Sequence, residues 1–134
     1  MNYSLDTNVL VDILRGNEAV KRKLVEADKV SRISISPYVC YEVLRGIMDK
    51  GASRQLADFR LLQKVAYKPK IDEYAVMEIA AQIYLGQKKI GQPVGDDMDV
   101  LIAAWCIASG STLITANTKH FADIEGLGLE KWRE

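Results

Sequence analysis

The change of hydrophobic period around Asp6 constrains this chain more than any other feature. Asn2-Tyr3-Ser4-Leu5-Asp6 reads as a short buried strand, but the next apolar residues, at 9, 10, 13 and 14, fall at helical spacing until Gly16-Asn17. A strand that passes almost directly into a helix is the opening of a βα unit. It also sets a carboxylate at the carboxyl end of the strand, where it is poorly placed for packing and well placed for holding a cation.

The alternation continues along the chain. Residues 18–28 read as a second, charged helix, and Arg32 to Ser36 alternates around Ile33 and Ile35 before Pro37, as a strand does. Pro37 suits the first turn of a helix in which Cys40, Val43, Leu44 and Ile47 recur at i, i+3, i+4 and i+7. A helix from about Ser53 to Gln63 leads to a brief strand, Val65-Ala66-Tyr67, ahead of Pro69. Residues 72–90 are the longest periodic stretch, with Ile79, Ile83 and Ile90 on one side, and Gly91 to Gly95 is a loop around Pro93. Met98 to Ser109 is an apolar helix, Thr112 to Thr115 a β-branched strand, and Gly126 to Trp132 contributes one more short strand. Strands alternating with helices predict an α/β fold, a parallel sheet covered on both faces. Ligands of such sheets bind beyond the carboxyl ends of the strands, where strand order reverses. Asp6 sits at one such end and Asn117, two residues past Thr115, at another.

The 134 residues are expected to form one domain spanning 1–134, long enough to bury ~68–70% of the surface of the unfolded chain. Net charge is zero, so no global basic field announces a nucleic-acid partner. Acids gathered in one pocket would nonetheless leave surplus Lys and Arg for the rest of the surface. Cys40 and Cys106 lie in apolar, helix-patterned stretches and read as buried free thiols, which points to a reducing, cytoplasmic setting. No apolar run is long enough to span a membrane. With His120 as the single histidine, a His- or Cys-rich zinc site is hard to assemble.

Other acids recur in positions like that of Asp6: Glu42 early in the Pro37 helix, then Asp96, Asp97 and Asp99 at the start of the Met98 helix. Each has a plain explanation. Asp6 could cap its helix, Glu42 could pair with Arg45, and Asp96 or Asp97 could complement a helix dipole. Yet three acids in four residues repel one another, and a helix start needs one cap. Residues at i and i+2 do not share a helix face, so Asp97 and Asp99 converge only if Asp97 stays in the loop. Gly46, one turn after Glu42, leaves room for close approach. Hard oxygen ligands suit Mg²⁺ or Mn²⁺, and such ions activate water for phosphodiester hydrolysis.

Taken together, four segments resemble the PIN-domain ribonucleases, specifically the VapC-type toxins. They are Leu5-Asp6-Thr7-Asn8-Val9-Leu10-Val11-Asp12, Ile35-Ser36-Pro37-Tyr38-Val39-Cys40-Tyr41-Glu42-Val43-Leu44-Arg45-Gly46, Asp97-Met98-Asp99-Val100-Leu101-Ile102-Ala103-Ala104 and Leu113-Ile114-Thr115-Ala116-Asn117-Thr118-Lys119-His120-Phe121. They keep the family's order and spacing over essentially the whole chain. The resemblance implies a three-layer α/β/α fold with a parallel sheet of about five strands and a metal site at its carboxyl edge. It assigns Asp6, Glu42 and Asp99 to the family's principal acidic positions and Asp97 to a further acid, together holding one or two Mg²⁺ or Mn²⁺ ions for endonucleolytic RNA cleavage. Thr7, Ser36 and Thr115 fall where relatives carry hydroxyls near the metal or the scissile phosphate, with Asn8 and Asn117 as further positioning groups. Asn117 replaces a fourth aspartate found in some relatives, which leaves a second metal open. The resemblance also implies a VapB-type antitoxin and a homodimer. Substrate choice would rest on loops and on basic residues such as Arg15, Arg45, Lys88, Lys89 and Lys119.

Three rival readings stand beside this one, the slightest of them a purely structural protein. A haloacid-dehalogenase-like phosphatase would use Asp6 as nucleophile, but it calls for a second aspartate where this chain has Asn8. A PIN fold without catalysis could survive as an RNA- or protein-binding module, against which the intact Asp6, Glu42 and Asp99 argue.

Overall fold

The computed structural model describes residues 1–91 and 96–133. Its sheet has four parallel strands, β1 (Asn2–Leu5), β2 (Arg32–Ser34), β3 (Ser111–Ile114) and β4 (Leu129–Glu130), in the order β2-β1-β3-β4. Register places Tyr3 opposite Ile33 on one side and opposite Thr112 on the other, with Leu5 opposite Ile114. The chain leaving β1 crosses to β2 on one side, and the chain leaving β3 crosses to β4 on the other. The carboxyl ends of β1 and β3 therefore frame the point where strand order reverses, the usual ligand position in such sheets.

Seven helices are described: α1 (Thr7–Leu14), α2 (Glu18–Val30), α3 (Pro37–Lys50), α4 (Ser53–Val65), α5 (Glu73–Ile90), α6 (Asp97–Ser109) and α7 (Thr118–Phe121). Successive strand residues point to opposite faces, and the two faces of β1 meet different helices. Leu5 shares a small cavity with Leu10 of α1, Leu24 of α2 and Leu62 of α4. Ser4 instead lies beside the Cys106 thiol of α6. The sheet is thus the middle layer of three. Helix α6 is apolar nearly all round, burying Val100, Ile102, Ala103, Ala104, Trp105 and Cys106. That is the pattern of a helix enclosed on every side, and α6 packs against both β3 and α5. Gly110 ends it at φ +66°, a left-handed turn that lets the chain enter β3 at the next residue.

Most elements match the sequence reading, and two details do not. Val65-Ala66-Tyr67 is not a strand. Helix α4 runs on through Val65, and the Lys68 ammonium donates to the carbonyls of Gln63 at 2.8 Å and Ala66 at 3.2 Å, satisfying its end. What remains of a fifth strand is one bond, from Tyr67 N–H to the Ile33 carbonyl at 2.8 Å; Pro69 has no N–H to extend it. On α5 the buried line runs through Val76, Ala80 and Gln87, with Ile79 and Ile83 half-buried beside it, while Ile90 is exposed. A Cβ built on Gly46 meets nothing within 4 Å, so the room expected on that line of the helix is present, and no part of the described chain fills it. The predicted loop around Pro93 falls on residues 92–95, outside the described residues. Short helix α7, between β3 and β4, is an addition.

Cys40 and Cys106 are free thiols, and burial pushes Cys106 up to about 12, keeping it protonated and unreactive. Among the described residues no helix is long and apolar enough to cross a membrane.

The chain end ties the first helix to the last strand. Trp132 is buried with its ring edge-on to Tyr3, centroids 6.2 Å apart. Arg133 Nε donates to Asp12 Oδ2 at 2.9 Å, and a terminal guanidinium nitrogen donates to Oδ1. Asp12, on α1, is only 8% exposed, and the fork supplies charge-assisted bonds to both of its oxygens. Arg133→Ala is expected to cost about 1–3 kcal/mol in urea denaturation, less than a fully buried pair because the arginine is half exposed. Adding Asp12→Asn should recover part of the loss; a single variant as stable as wild type would contradict the assignment.

Candidate active site

Each strand end at the carboxyl edge contributes a polar side chain. The β1–β3 ladder continues one residue past β1, since Asp6 N–H donates to the Ile114 carbonyl at 2.9 Å. This carries the Asp6 carboxylate to the edge, where it is 6% exposed. Its two oxygens are both engaged: Oδ1 accepts from Thr7 N–H and Oδ2 from the Thr115 hydroxyl, each at 2.8 Å. Helix capping and a site role therefore coexist in Asp6. The cap is a single bond to the adjacent residue.

Thr115 is fully buried and its hydroxyl is saturated. It donates to Asp6 and accepts from Asn117 N–H at 3.1 Å and from Asn8 Nδ2 at 3.4 Å. A hydroxyl has one proton and two lone pairs, so nothing is left for a substrate or ion. Asn8 is occupied in the same way, its Oδ1 accepting from Ala116 N–H at 3.1 Å. Ser36 is fully buried and caps α3 by accepting from Val39 N–H at 3.2 Å. These three predicted positioning groups hold protein atoms in place. Thr7 differs: its hydroxyl donates to Glu42 Oε1 at 2.6 Å, linking α1 to α3 and aiming the glutamate. That contact takes the place of the Glu42–Arg45 pair, and Arg45 instead lies 5.1 Å over the Tyr41 ring.

Asp99 occupies the third position of α6, whose N-cap is Asp96, accepting from Asp99 N–H at 3.1 Å. Asp97 is the first helical residue and is exposed. It has left the loop, so by helix geometry it does not share a face with Asp99. Asn117 is exposed at the start of α7 and makes no side-chain cap. The partner of Asp99 is a residue that sequence reasoning used only to argue against zinc: His120 Nε2 stands 3.1 Å from Asp99 Oδ2. A signal existed, because His120 lies on the segment leaving a parallel strand at its carboxyl end.

Electrostatics joins the three principal acids. Burial pushes the Asp6 carboxyl above its ordinary value, the Thr115 and Thr7 hydrogen bonds pull it back, and the charges of Asp99 and Glu42 push it up again. Asp99 is raised as well, by burial first, with the hydrogen bond from His120 opposing and the Asp96 charge adding. Among the described residues, no three His, Cys, Asp or Glu side chains come close enough to enclose one ion. The donor chemistry still fits Mg²⁺, which commonly takes one or two carboxylates and keeps several waters. Such an ion would relieve the repulsion that Asp99 and Glu42 exert on the buried Asp6 carboxyl.

The sequence model of the PIN domain family matches residues 3–127. No curated protein sequence matches the chain. Among solved structures, VapBC2 from Rickettsia felis, bound to a DNA fragment from their promoter, is similar at TM-score 0.88 and 25% identity, covering 99% of this chain and 100% of that one. FitAcB from Neisseria gonorrhoeae is similar at TM-score 0.73 and 27% identity over 96% of each chain. A toxin-antitoxin complex from Klebsiella pneumoniae, at 23% identity and TM-score 0.74 over 98% of each chain, shares the fold.

The raised Asp6 carboxyl has a consequence for stability. The folded chain holds this proton more tightly than the unfolded one, so stability falls as pH rises from the ordinary value of 3.8 through the raised one. Above that window the ionised group is a net cost in the absence of a cation. Asp6→Asn keeps a competent N-cap and removes the charge. In EDTA its melting temperature relative to wild type is expected to rise as pH climbs from 3.8 through the raised value, because wild type alone loses stability across that window. A relative melting temperature that stays level or falls there would refute this account.

Proposed function

The chain belongs to the PIN domain family, and on that premise we propose that it is a Mg²⁺- or Mn²⁺-dependent endoribonuclease, the toxin of a type II toxin–antitoxin pair. The observation that supports the reading is the Asp6 carboxyl at the β1–β3 edge, on which the charges of both Glu42 and Asp99 bear. In this reading residues 1–134 form one nuclease domain. Asp6, Glu42 and Asp99 would hold the ion, one or two of them directly and the rest through its retained waters, and Asp97 and Asn117 lie outside this inner set, exposed at the rim. When bound, the ion lowers the pKa of a water and offsets charge on the phosphoryl oxygens of the RNA backbone.

The chain's own groups have separate tasks. Thr115 and Thr7 N–H bind the ionised form of Asp6 and so favour it at neutral pH. The Thr7 hydroxyl fixes one oxygen of Glu42 and leaves Oε2 for the ion. Asn8, bonded to Thr115 and Ala116, keeps the turn after β3 against α1, so the strand ends cannot separate. The same bonds weaken the phosphatase alternative, since Asn8 stands where that chemistry calls for a free second carboxylate.

A VapB-type antitoxin is the proposed partner, supported by the likeness to VapBC2 from Rickettsia felis. A second copy of the chain is also proposed. Helix α5 leaves Tyr74, Tyr84 and Leu85 exposed, Tyr74 at 84%, apolar surface that such a copy could cover. The cytoplasm is the proposed compartment.

Purified protein is expected to cleave single-stranded RNA when given Mg²⁺ or Mn²⁺ and to stop when EDTA is added. Asp6→Asn and Asp99→Asn should each lower the rate by about 100-fold or more, since each removes a group worth several kcal/mol to the site. Cleavage that persists in EDTA, or full activity in either variant, would reject the reading. Phosphate release from small phosphomonoesters with RNA untouched would favour the phosphatase instead.

A further inference from the structure

We propose that His120 is a positioning residue for Asp99: its Nε2 holds one carboxylate oxygen and leaves the other for the divalent cation. This rests on the metal-dependent reading of the site. The geometry is a single contact of 3.1 Å between Nε2 and Oδ2, with both side chains about one-third exposed, at 30% and 27%. An exposed ion pair of this kind contributes little to stability. Its place in the molecule suggests a different use.

Asp99 begins a helix beside Asp96, whose charge raises its carboxyl, and two residues from Asp97. Without a tether it has every electrostatic reason to turn to solvent, away from Asp6 and Glu42. His120 supplies the tether and is itself fixed. Its ring meets Phe121 edge-on, centroids 5.1 Å apart, and Phe121 is buried. Its backbone N–H donates to the Asn117 carbonyl at 3.2 Å. Asn117 N–H in turn donates to the Thr115 hydroxyl that binds Asp6.

A continuous path therefore runs from Asp6 through Thr115, the Asn117 backbone and His120 to Asp99. Two carboxylates from distant parts of the sequence are held by one short segment, the exit from β3. Histidine bonded to a metal-binding carboxylate can fix the orientation of the ligand, and loss of such an outer partner typically costs 10–100-fold in metal affinity.

The test is isothermal titration of the purified full chain with Mn²⁺ alone, at neutral pH, with metal-free melting temperatures as a second readout. His120→Ala is expected to weaken Mn²⁺ binding by about 10-fold or more while leaving the metal-free melting temperature near that of wild type. His120→Gln should recover most of the affinity, because its amide nitrogen reaches the place of Nε2. His120→Asn, whose amide nitrogen stands nearer the place of Nδ1, should not. Unchanged affinity in His120→Ala would overturn the proposal, as would a Gln variant no better than Ala or a large loss of metal-free stability in the Ala variant. Asp99→Asn separates this from the site reading. If Asp99→Asn loses Mn²⁺ and His120→Ala does not, only the role of His120 falls. If wild type takes no Mn²⁺, or Asp99→Asn binds as wild type does, both fall together.

Discussion

The hydroxyl of Thr115 is the point through which the carboxyl edge of the sheet is assembled. Its proton goes to Asp6 at the end of β1, and its lone pairs take Asn8 from α1 and Asn117 N–H from the turn after β3. Parallel strands β1 and β3 are far apart in sequence, and nothing in the ladder itself decides what stands beyond their ends. A fully buried hydroxyl with all three bonding capacities used decides it here. The cost of leaving any one of those buried groups without a partner, about 1–3 kcal/mol, makes the arrangement hard to disturb piecemeal. Glu42 is drawn in by Thr7, the residue next to Asp6, and Asp99 by His120, three residues after Asn117. All three acids of the site are thus tied, directly or through a neighbouring residue, to the same hydroxyl.

That arrangement has an electrostatic cost. The bonds to Asp6 come from neutral donors, which favour its ionised form without cancelling its charge, and burial acts against them. Stability alone gives no reason to keep three acids at this edge. The retention of a buried carboxyl group under repulsion from two other acids is the mark of a site poised for a charged ligand. Its position at the β1–β3 reversal is where the topology would lead one to look.

Much of this was legible in the sequence. The change of period at Asp6 located both β1 and α1, Pro37 marked the first turn of α3, and the all-apolar run after Met98 announced an enclosed helix. The failures share a cause. Val65 to Tyr67 has the β-branched and aromatic composition of a strand, but whether such a segment pairs depends on its neighbours in the chain, and Lys68 and Pro69 turn it into a helix cap. Ile90 fits a helical stripe by spacing, yet it stands exposed at the end of α5, on the wall of a cleft it shares with Ile107 and Ile124. The site residues divide in the same way. Asp6, Glu42 and Asp99 were visible as acids at element ends. The occupation of Thr115, Asn8 and Ser36 by protein partners was not, because hydroxyl and amide groups bond equally well to ligand and to backbone, and only the three-dimensional accounting separates the two.

Helix α1 carries its own control. Asp12 is as buried as Asp6, at 8% against 6% exposed, and lies less than two turns further along the same helix. The chain supplies Asp12 with an arginine, brought from its far end and set as a fork on both oxygens. This fold is therefore able to place a counter-ion on a buried acid of α1. At Asp6 the charges of Glu42 and Asp99 bear on the carboxylate, and its two oxygens are bonded by Thr7 N–H and the Thr115 hydroxyl. A guanidinium there would satisfy the charge permanently and close the site. Neutral donors hold the carboxylate in place and leave its charge for a cation that comes from solution.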